Sequence, residues 1–309
     1  MRLIAASAPR RFRHGTRALS ALMAHALPAW RRRLSAIDSL KLLVESGHYA
    51  VWEGRASSLD GRAAWLRNSG CATAMDLEPA ELERLRSVLA APIAGALKFT
   101  GTASIADPAD LSAAMRSAFV RAGGQLMTRR MAVAEALKIA DAVVVAAGVE
   151  SAPLLEAIGH RVPMIAERGY HLQQAGADWP QELPPITFED RSVVVTRFRS
   201  ALRATSFTEF TTRDAAPDER KWVRLRRHAS ELGLPFDGRA TQWVGCRPTL
   251  PDYLPAIGRS RRQAKVFYAF GHQHLGLTLA AITGELTAAL IAGETPPVDL
   301  QPFDLERFA

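Results

Sequence analysis

One stretch near the C-terminus constrains this chain more than any other. It reads Trp243-Val-Gly-Cys-Arg-Pro-Thr-Leu-Pro-Asp-Tyr-Leu-Pro-Ala-Ile-Gly258, then Val266-Phe-Tyr-Ala-Phe-Gly-His-Gln-His-Leu-Gly-Leu-Thr278, and passes into an apolar helical stretch from Leu277 to Ile291. The first part is a strand that delivers one arginine, Arg247, close behind Gly245. The second is a turn flanked by Gly271 and Gly276 that opens onto a helix N-terminus. Such an end carries unsatisfied N–H groups and partial positive charge, and glycines leave room for a ligand to approach them. Within the helix, Leu277, Ala281, Gly284, Ala288 and Ile291 recur at spacings of four and three, which predicts a small-residue face set tight against a sheet.

The 309 residues suffice for one large domain or two interleaved ones, with a hydrophobic content of 48% and a charged content of 23% ordinary for a globular protein. A net charge of +8 raises the question of a nucleic-acid partner. Lysine occurs only at Lys41, Lys98, Lys138, Lys221 and Lys265, and the arginines that make up the rest are spread over the whole length. Arg31-Arg32-Arg33 and Arg224 to Arg227 form short clusters without a nucleic-acid-binding motif, so solvated helix faces explain them better. Cys71 and Cys246 form no CxxC pair, which argues against a disulfide framework or a zinc site. The apolar run Ala18 to Trp30 is broken by His25 and Pro28. These features imply a reducing cytoplasm, with contact at the inner face of a membrane as an alternative.

Along the chain, residues 17–46 read as amphipathic helix interrupted near Pro28, with Gly47 as the stop and His48 to Trp52 as a strand. Glu78 to Leu89 places Leu82, Leu85, Val88 and Leu89 on one helical face. A helix over 108–122 has Asp107 as cap, Pro108 in its first turn, and an apolar face of Leu111, Met115, Ala118, Phe119 and Ala122. A short strand over Gln125 to Thr128 is expected next. Asp141 to Gly148 is a continuous apolar run that suits a parallel strand buried on both faces, with Gly148 letting the following turn approach whatever lies over the sheet. Ser192 to Phe198 and Leu202 to Phe210 alternate as strands, and Arg220 to Leu232 is again helical. Alternating helix and buried strand with an inserted antiparallel sheet implies an α/β fold with an α+β layer.

The Trp243 to Thr278 stretch resembles the C-terminal half of the FAD-dependent D-amino-acid dehydrogenase family, most closely its D-hydroxyproline dehydrogenase branch. Asp141 to Gly148 resembles that family's last strand of the FAD-binding sheet, and Pro163 to His171 resembles its Pro-x-x-x-x-Arg-Gly-Tyr strand. The resemblance implies an incomplete FAD-binding Rossmann-like domain with an inserted antiparallel-sheet substrate domain. Residues 1–100 and 160–245 would belong mainly to the substrate part, and residues 101–159 and 246–309 mainly to the FAD-binding part. It implies hydride transfer from the α-carbon of an amino or cyclic imino acid to flavin, with a quinone or another carrier as electron acceptor.

Arg247 is the best-marked candidate for chemistry. Pro248 stiffens the strand behind it, and a guanidinium fork holds a carboxylate through two parallel hydrogen bonds; a surface ion pair is the plainer alternative. In the resembling family this arginine binds the substrate carboxylate, and Tyr170 would close the substrate pocket or pack in the core. The resemblance places Gly148, Gly245, Gly258, Gly271, His272, His274, Gly276, Leu277 and Thr278 against FAD. His272 and His274, two apart, lack a third ligand spaced to help them hold a metal; hydrogen bonding to flavin or substrate, or a structural turn, are the alternatives. Alternation turns Cys246 away from Arg247 and makes it a small core filler.

The resemblance begins about a hundred residues into a typical member, by the reach of one βαβ unit and a strand. The Gly-x-Gly-x-x-Gly turn that binds the FAD diphosphate, and the acidic residue for the ribose, lie before that point. Two expectations follow. One is a flavoenzyme; the other is a non-catalytic remnant, or one subunit of a split enzyme whose partner supplies the nucleotide-binding unit.

Overall fold

A computed structural model describes residues 8–54 and 72–309, so Cys71 lies outside the described residues. In chain order these form α1 (Pro9–Met23), α2 (Ala26–Ala36), β1 (Leu43–Val44), β2 (His48–Trp52), β3 (Thr73–Asp76), α3 (Pro79–Val88), β4 (Gly95–Thr100), β5 (Ser104–Ile105) and α4 (Pro108–Arg121). There follow α5 (Val133–Ala136), β6 (Val143–Val145), α6 (Ser151–Glu156), β7 (Ile165–Ala175), β8 (Ile186–Phe188), β9 (Val193–Arg197) and β10 (Ala201–Phe210). The last elements are α7 (Glu219–Leu232), β11 (Thr241–Thr249), β12 (Ala256–Arg259), β13 (Val266–Phe270) and α8 (Gly276–Ala292).

The larger sheet has eight strands in the order β11-β7-β10-β9-β8-β2-β4-β3, antiparallel throughout except where β2 meets β8. Period-two burial turns Tyr170, Leu172, Val193, Val195, Leu202 and Ala204 into a core closed by Trp222, Leu225, Ala229 and Leu232 of α7 and by Leu85 of α3, while at the β2-β4 end the opposite face is apolar too, with Ala50, Trp52, Leu97 and Phe99 buried. The smaller sheet runs β12-β13-β6, with β13 and β6 parallel. One side carries α8, against which α2 and α1 pack through Trp30, Leu34 and Leu22; the other carries α6 and the C-terminal turns.

Helix signals in the sequence act locally and are found where expected. The Asp107 carboxylate accepts a hydrogen bond from the Ala109 N–H at 2.9 Å and caps α4. Pro28 falls in the first turn of α2, where a missing N–H costs nothing, and the helix break lies earlier, at Ala24 and His25.

Three expectations are corrected by packing. Gln125 to Thr128 is not a strand: Leu126 and Met127 are exposed and no strand lies beside them among the described residues. Of the small-residue face expected on α8 only Ala281 is buried: Leu279, Ile282 and Leu286 fill the core while Leu277, Gly284, Ala288 and Ile291 face outward. The larger aliphatic side chains remove more apolar area from water and therefore decide which face turns inward. Helices α1 and α2 join the layer of α8. Finally, β6 is short and pairs on one side only, with Val144 40% exposed. The same region exposes Met115, Phe119, Val120, Leu126, Met127 and Ile139, so of the apolar face expected on α4 only Leu111 is buried.

This uncovered apolar surface should make the chain self-associate. Met127→Lys combined with Ile139→Lys changes two largely exposed positions, so static light scattering should fall toward the monomer value with the thermal midpoint moved by no more than about 2 °C.

Candidate active site

The site is built on the pairing of β7 with β11. Register sets Glu167 opposite Arg247, Gly169 opposite Gly245 and His171 opposite Trp243. Strand alternation puts these six on one face of the sheet and Arg168, Tyr170 and Leu172 on the other. The two opposed glycines make this face usable. A Cβ at Gly169 would lie 2.1 Å from Arg247 Nη2, and one at Gly245 would lie 1.9 Å from the Trp243 ring. Arg247 therefore lies flat across Gly169 of β7, and Trp243 lies over Gly245 of its own strand and stacks on His171 of β7 with ring centroids 4.9 Å apart.

Glu167 has no solvent exposure. A buried carboxylate must collect donors, and Glu167 accepts hydrogen bonds from Arg247 Nη1 at 3.3 Å, Thr249 Oγ1 at 3.0 Å and Tyr253 Oη at 3.3 Å. His274 Nδ1 stands 3.5 Å from Glu167 Oε1. Arg247 Nη1 also donates to the Phe207 carbonyl at 3.2 Å. That carbonyl is presented by a bulge in β10 between Ser206 and Glu209, where Phe207 adopts φ 68°. The Arg247 Nε and Nη2 groups have no hydrogen-bond acceptor among the described residues, and the side chain keeps 20% of its exposure. The fork is anchored by one nitrogen and open at the others.

The turn to α8 meets this cluster. Gly271 has φ 80°, and a Cβ there would lie 2.7 Å from Leu250 Cδ1, so the tight turn itself requires glycine. Gln273 and Tyr253 both have positive φ, 49° and 60°, and the Gln273 amide donates to the Tyr253 carbonyl, fixing the two strained residues against each other. Gly276 opens α8, and a Cβ there would meet only His272 Cβ at 3.9 Å, leaving open space before the helix N-terminus. Trp30 Nε1 donates to the carbonyls of Leu277 at 3.0 Å and Thr278 at 3.2 Å and holds the first turn in place.

Burial shapes the titration of these groups. It lowers His272 to about 4, and its Nε2 sits 3.1 Å from Thr283 Oγ1. It also lowers half-exposed His274, a shift that the Glu167 charge opposes and the Arg247 charge reinforces. The Tyr253 phenol is pushed up by burial and by Glu167.

Arg247, Gly271, His272, His274, Gly276, Leu277 and Thr278 are thus gathered around one turn. Others are not. Tyr170 is fully buried on the opposite sheet face, where its hydroxyl donates to Glu209 at 2.7 Å and accepts from the Asp218 N–H at 3.1 Å, so it closes no pocket beside Arg247. Gly258 makes room for Tyr268, whose hydroxyl would lie 2.7 Å from an added Cβ, and Gly245 makes room for Trp243. Gly148, at φ 59°, begins the turn after β6, which lies beside β11. Cys246 faces away from Arg247, with Sγ 3.8 Å from the Arg213 carbonyl, and is only partly buried. Glu167, Thr249, Tyr253, Trp243 and His171 were not singled out. The parity of Glu167 with Gly169 on an alternating strand was the available signal.

The family described as FAD dependent oxidoreductase (DAO) matches residues 2–290. The chain belongs to this family. It is 39% identical over 175 residues to a D-amino-acid oxidase of Bradyrhizobium diazoefficiens, an alignment covering 54% of this chain and 41% of that protein. The chain therefore spans less than half the length of that curated relative. Among solved structures, iminodiacetate oxidase from Chelativorans sp. BNC1 superposes with a TM-score of 0.74 at 19% identity, covering 92% of this chain and 83% of the other. Glycine oxidase from Geobacillus kaustophilus gives 0.74 at 23%, covering 92% and 80%, and L-proline dehydrogenase from P. horikoshii gives 0.72 at 15%, covering 93% and 82%. These likenesses establish the mixed α/β flavoenzyme fold.

FAD is the cofactor of the family, and the residues present fit one end of it. The open N-terminus of α8 behind Gly276 suits the flavin edge. For the diphosphate, however, no Gly-x-Gly sequence occurs anywhere in the 309 residues.

Because His272 is held neutral in the fold but has an ordinary value near 6.5 when unfolded, the unfolded chain binds the extra proton between about pH 6.5 and 4 and stability falls as pH drops through that window. The unfolding free energy of His272→Gln, which keeps a partner for Thr283, measured by urea titration, should fall by about 1–3 kcal/mol less than that of the parent between pH 7 and pH 4.5.

Proposed function

We propose that this chain forms the substrate-facing and flavin-facing part of an enzyme that oxidises an amino acid or cyclic imino acid. The observation that carries this reading is Arg247: one nitrogen is pinned by Glu167 and Phe207, and the rest of the fork is free on an open sheet face next to the turn into α8. A free, oriented guanidinium edge is complementary to a carboxylate and fixes where the attached α-carbon lies. The names of the relatives, D-amino-acid oxidase and L-proline dehydrogenase among them, support an amino- or imino-acid substrate. D-hydroxyproline is the finer assignment that the resemblance of the Trp243 to Thr278 stretch favours. When bound, FAD supplies a two-electron acceptor for the hydride on the substrate α-carbon, with a quinone or another carrier taking the electrons onward.

A second observation bears on the state in which the enzyme works. The free edge of β6 and the apolar residues exposed around it support docking of a nucleotide-binding unit, from the same polypeptide or from a partner subunit. That unit would bring the diphosphate-binding glycine turn. Visible absorbance of the purified chain titrated with FAD, alone and with such a unit, tests both readings. A flavin spectrum bleached by D-hydroxyproline or D-proline supports the enzyme. An absence of flavin binding in both preparations points to a non-catalytic remnant.

Two substitutions sharpen the assignment. Arg247→Ala should raise KM and lower kcat for carboxylate substrates, a loss of about 1.5–3 kcal/mol, or tenfold to more than a hundredfold in kcat/KM. The corresponding decarboxylated amines should lose far less, and equal losses would remove Arg247 from carboxylate recognition. Gly276→Val fills the space before the α8 N-terminus, so flavin occupancy measured by absorbance should drop while far-UV circular dichroism stays at the parent value.

A further inference from the structure

The charge count around Arg247 has a consequence for how an anion enters. Within the cluster, Arg247 is positive, Glu167 is negative and His274, held down by burial, is neutral. The other charged groups nearby are already committed. Arg168 pairs with Glu209 on the opposite sheet face, Glu150 pairs with Arg213 at the surface, and His272 on the same turn is engaged by Thr283. Tyr253, on the loop before β12, is a neutral phenol that donates to Glu167. His171, on the same face of β7, is lowered to about 4 by burial and by the charge of Arg203, which donates to Gln173, and it is stacked against Trp243, so His274 is the group beside Arg247 left to balance a second carboxylate. A new anion there faces a carboxylate with no solvent exposure, whose charge water does not screen. The imidazole of His274 stands 3.5 Å from that carboxylate and keeps half of its own surface in solvent, so it is both close enough to feel the added charge and open enough to collect a proton.

Resting on the carboxylate-binding role of Arg247, we infer that Glu167 and His274 form a proton-uptake pair: binding of a substrate carboxylate to the free edge of Arg247 is accompanied by capture of one proton from solvent on the His274 imidazole, facing Glu167. The count then balances. The cluster is neutral before binding and neutral after it, with the imidazolium lying between two carboxylates and the guanidinium. Glu167 acts as a positioning residue in this scheme, holding Arg247 at one nitrogen and setting the charge that His274 must answer. Carboxylate affinity consequently falls with rising pH, by close to tenfold per pH unit where one proton is taken up, because the proton is a co-ligand.

The test uses the 309-residue chain and cyclopentanecarboxylate, which has the carboxylate and ring of a cyclic imino acid and no amine to oxidise or titrate. Calorimetric titrations at several pH values between 6 and 9, each in two buffers of different ionisation enthalpy, give both affinity and protons exchanged. For the parent chain we expect uptake approaching one proton and affinity falling by about tenfold per pH unit in the lower and middle part of the range, levelling off at its upper end where the bound imidazolium itself loses its proton. Glu167→Gln keeps the shape and removes the charge, so its uptake should vanish and its affinity at pH 8 should rise by about tenfold or more; a merely structural role for Glu167 predicts weaker binding. His274→Asn changes a half-exposed side chain and should give pH-independent affinity fixed at the weak, high-pH level, which keeps the test intact should Glu167→Gln fail to fold. Parent binding that is abolished by Arg247→Ala yet shows no proton uptake overturns the pair and leaves the arginine assignment standing. Binding that ignores Arg247→Ala, or that is absent from the parent, overturns both.

Discussion

A carboxylate without access to water organises the candidate site. Glu167 is too costly to bury alone, and its partners come from separate elements: Arg247 and Thr249 from β11, Tyr253 from the following loop, and His274 from the turn into α8. Satisfying one buried charge therefore joins the eight-stranded sheet to the glycine turn. The strained backbone at Phe207, Tyr253 and Gln273 is tolerated because each of these residues also takes part in the hydrogen bonding around this junction. Removing Glu167 entirely would leave a desolvated guanidinium behind, so the pair is best understood as a device for geometry rather than as a net source of stability.

The two halves of the molecule differ in how complete they are as packed objects. One face of the larger sheet is covered by α7 and α3, and the other carries the polar cluster at its β7-β11 end and a small apolar cluster at its β2-β4 end. The smaller sheet is partly parallel, an arrangement normally enclosed by neighbours on every side, yet β6 ends it with a solvent-facing valine and a surround of exposed apolar residues. The N-terminus of α8 opens onto unfilled space at Gly276, and no Gly-x-Gly turn occurs in this sequence.

Much of this was legible in the sequence because its signals are local. The Asp107 cap, the alternation in β9 and β10, and the helix from Glu219 to Leu232 depend on residues within a turn or two of themselves. Arg247 beside its glycine, and the turn from Gly271 to Gly276, were visible as motifs. What escaped was set by partners distant in sequence. The inward face of α8 was decided by competition between Leu279, Ile282 and Leu286 and the smaller residues on the other side, with α2 as the judge. For Tyr170 the motif left a pocket position and a core position both open, and strand parity decides for the core on the far face. Glu167 was overlooked because a buried acid reads from sequence as a solvated one until its donors are known.

The facing glycines of β7 and β11 also shape which sequences this site can tolerate. Gly169 holds the space that the Arg247 guanidinium crosses, and Gly245 holds the space that the Trp243 indole crosses. Each glycine is therefore coupled to a particular large side chain on β11, and neither glycine is free to change while that side chain keeps its pose. An alanine at either position would be read first as a misaimed fork or a displaced ring, with the sheet still paired. Drift at this surface is consequently epistatic: glycine and large residue can be exchanged together, as a unit, more readily than one at a time.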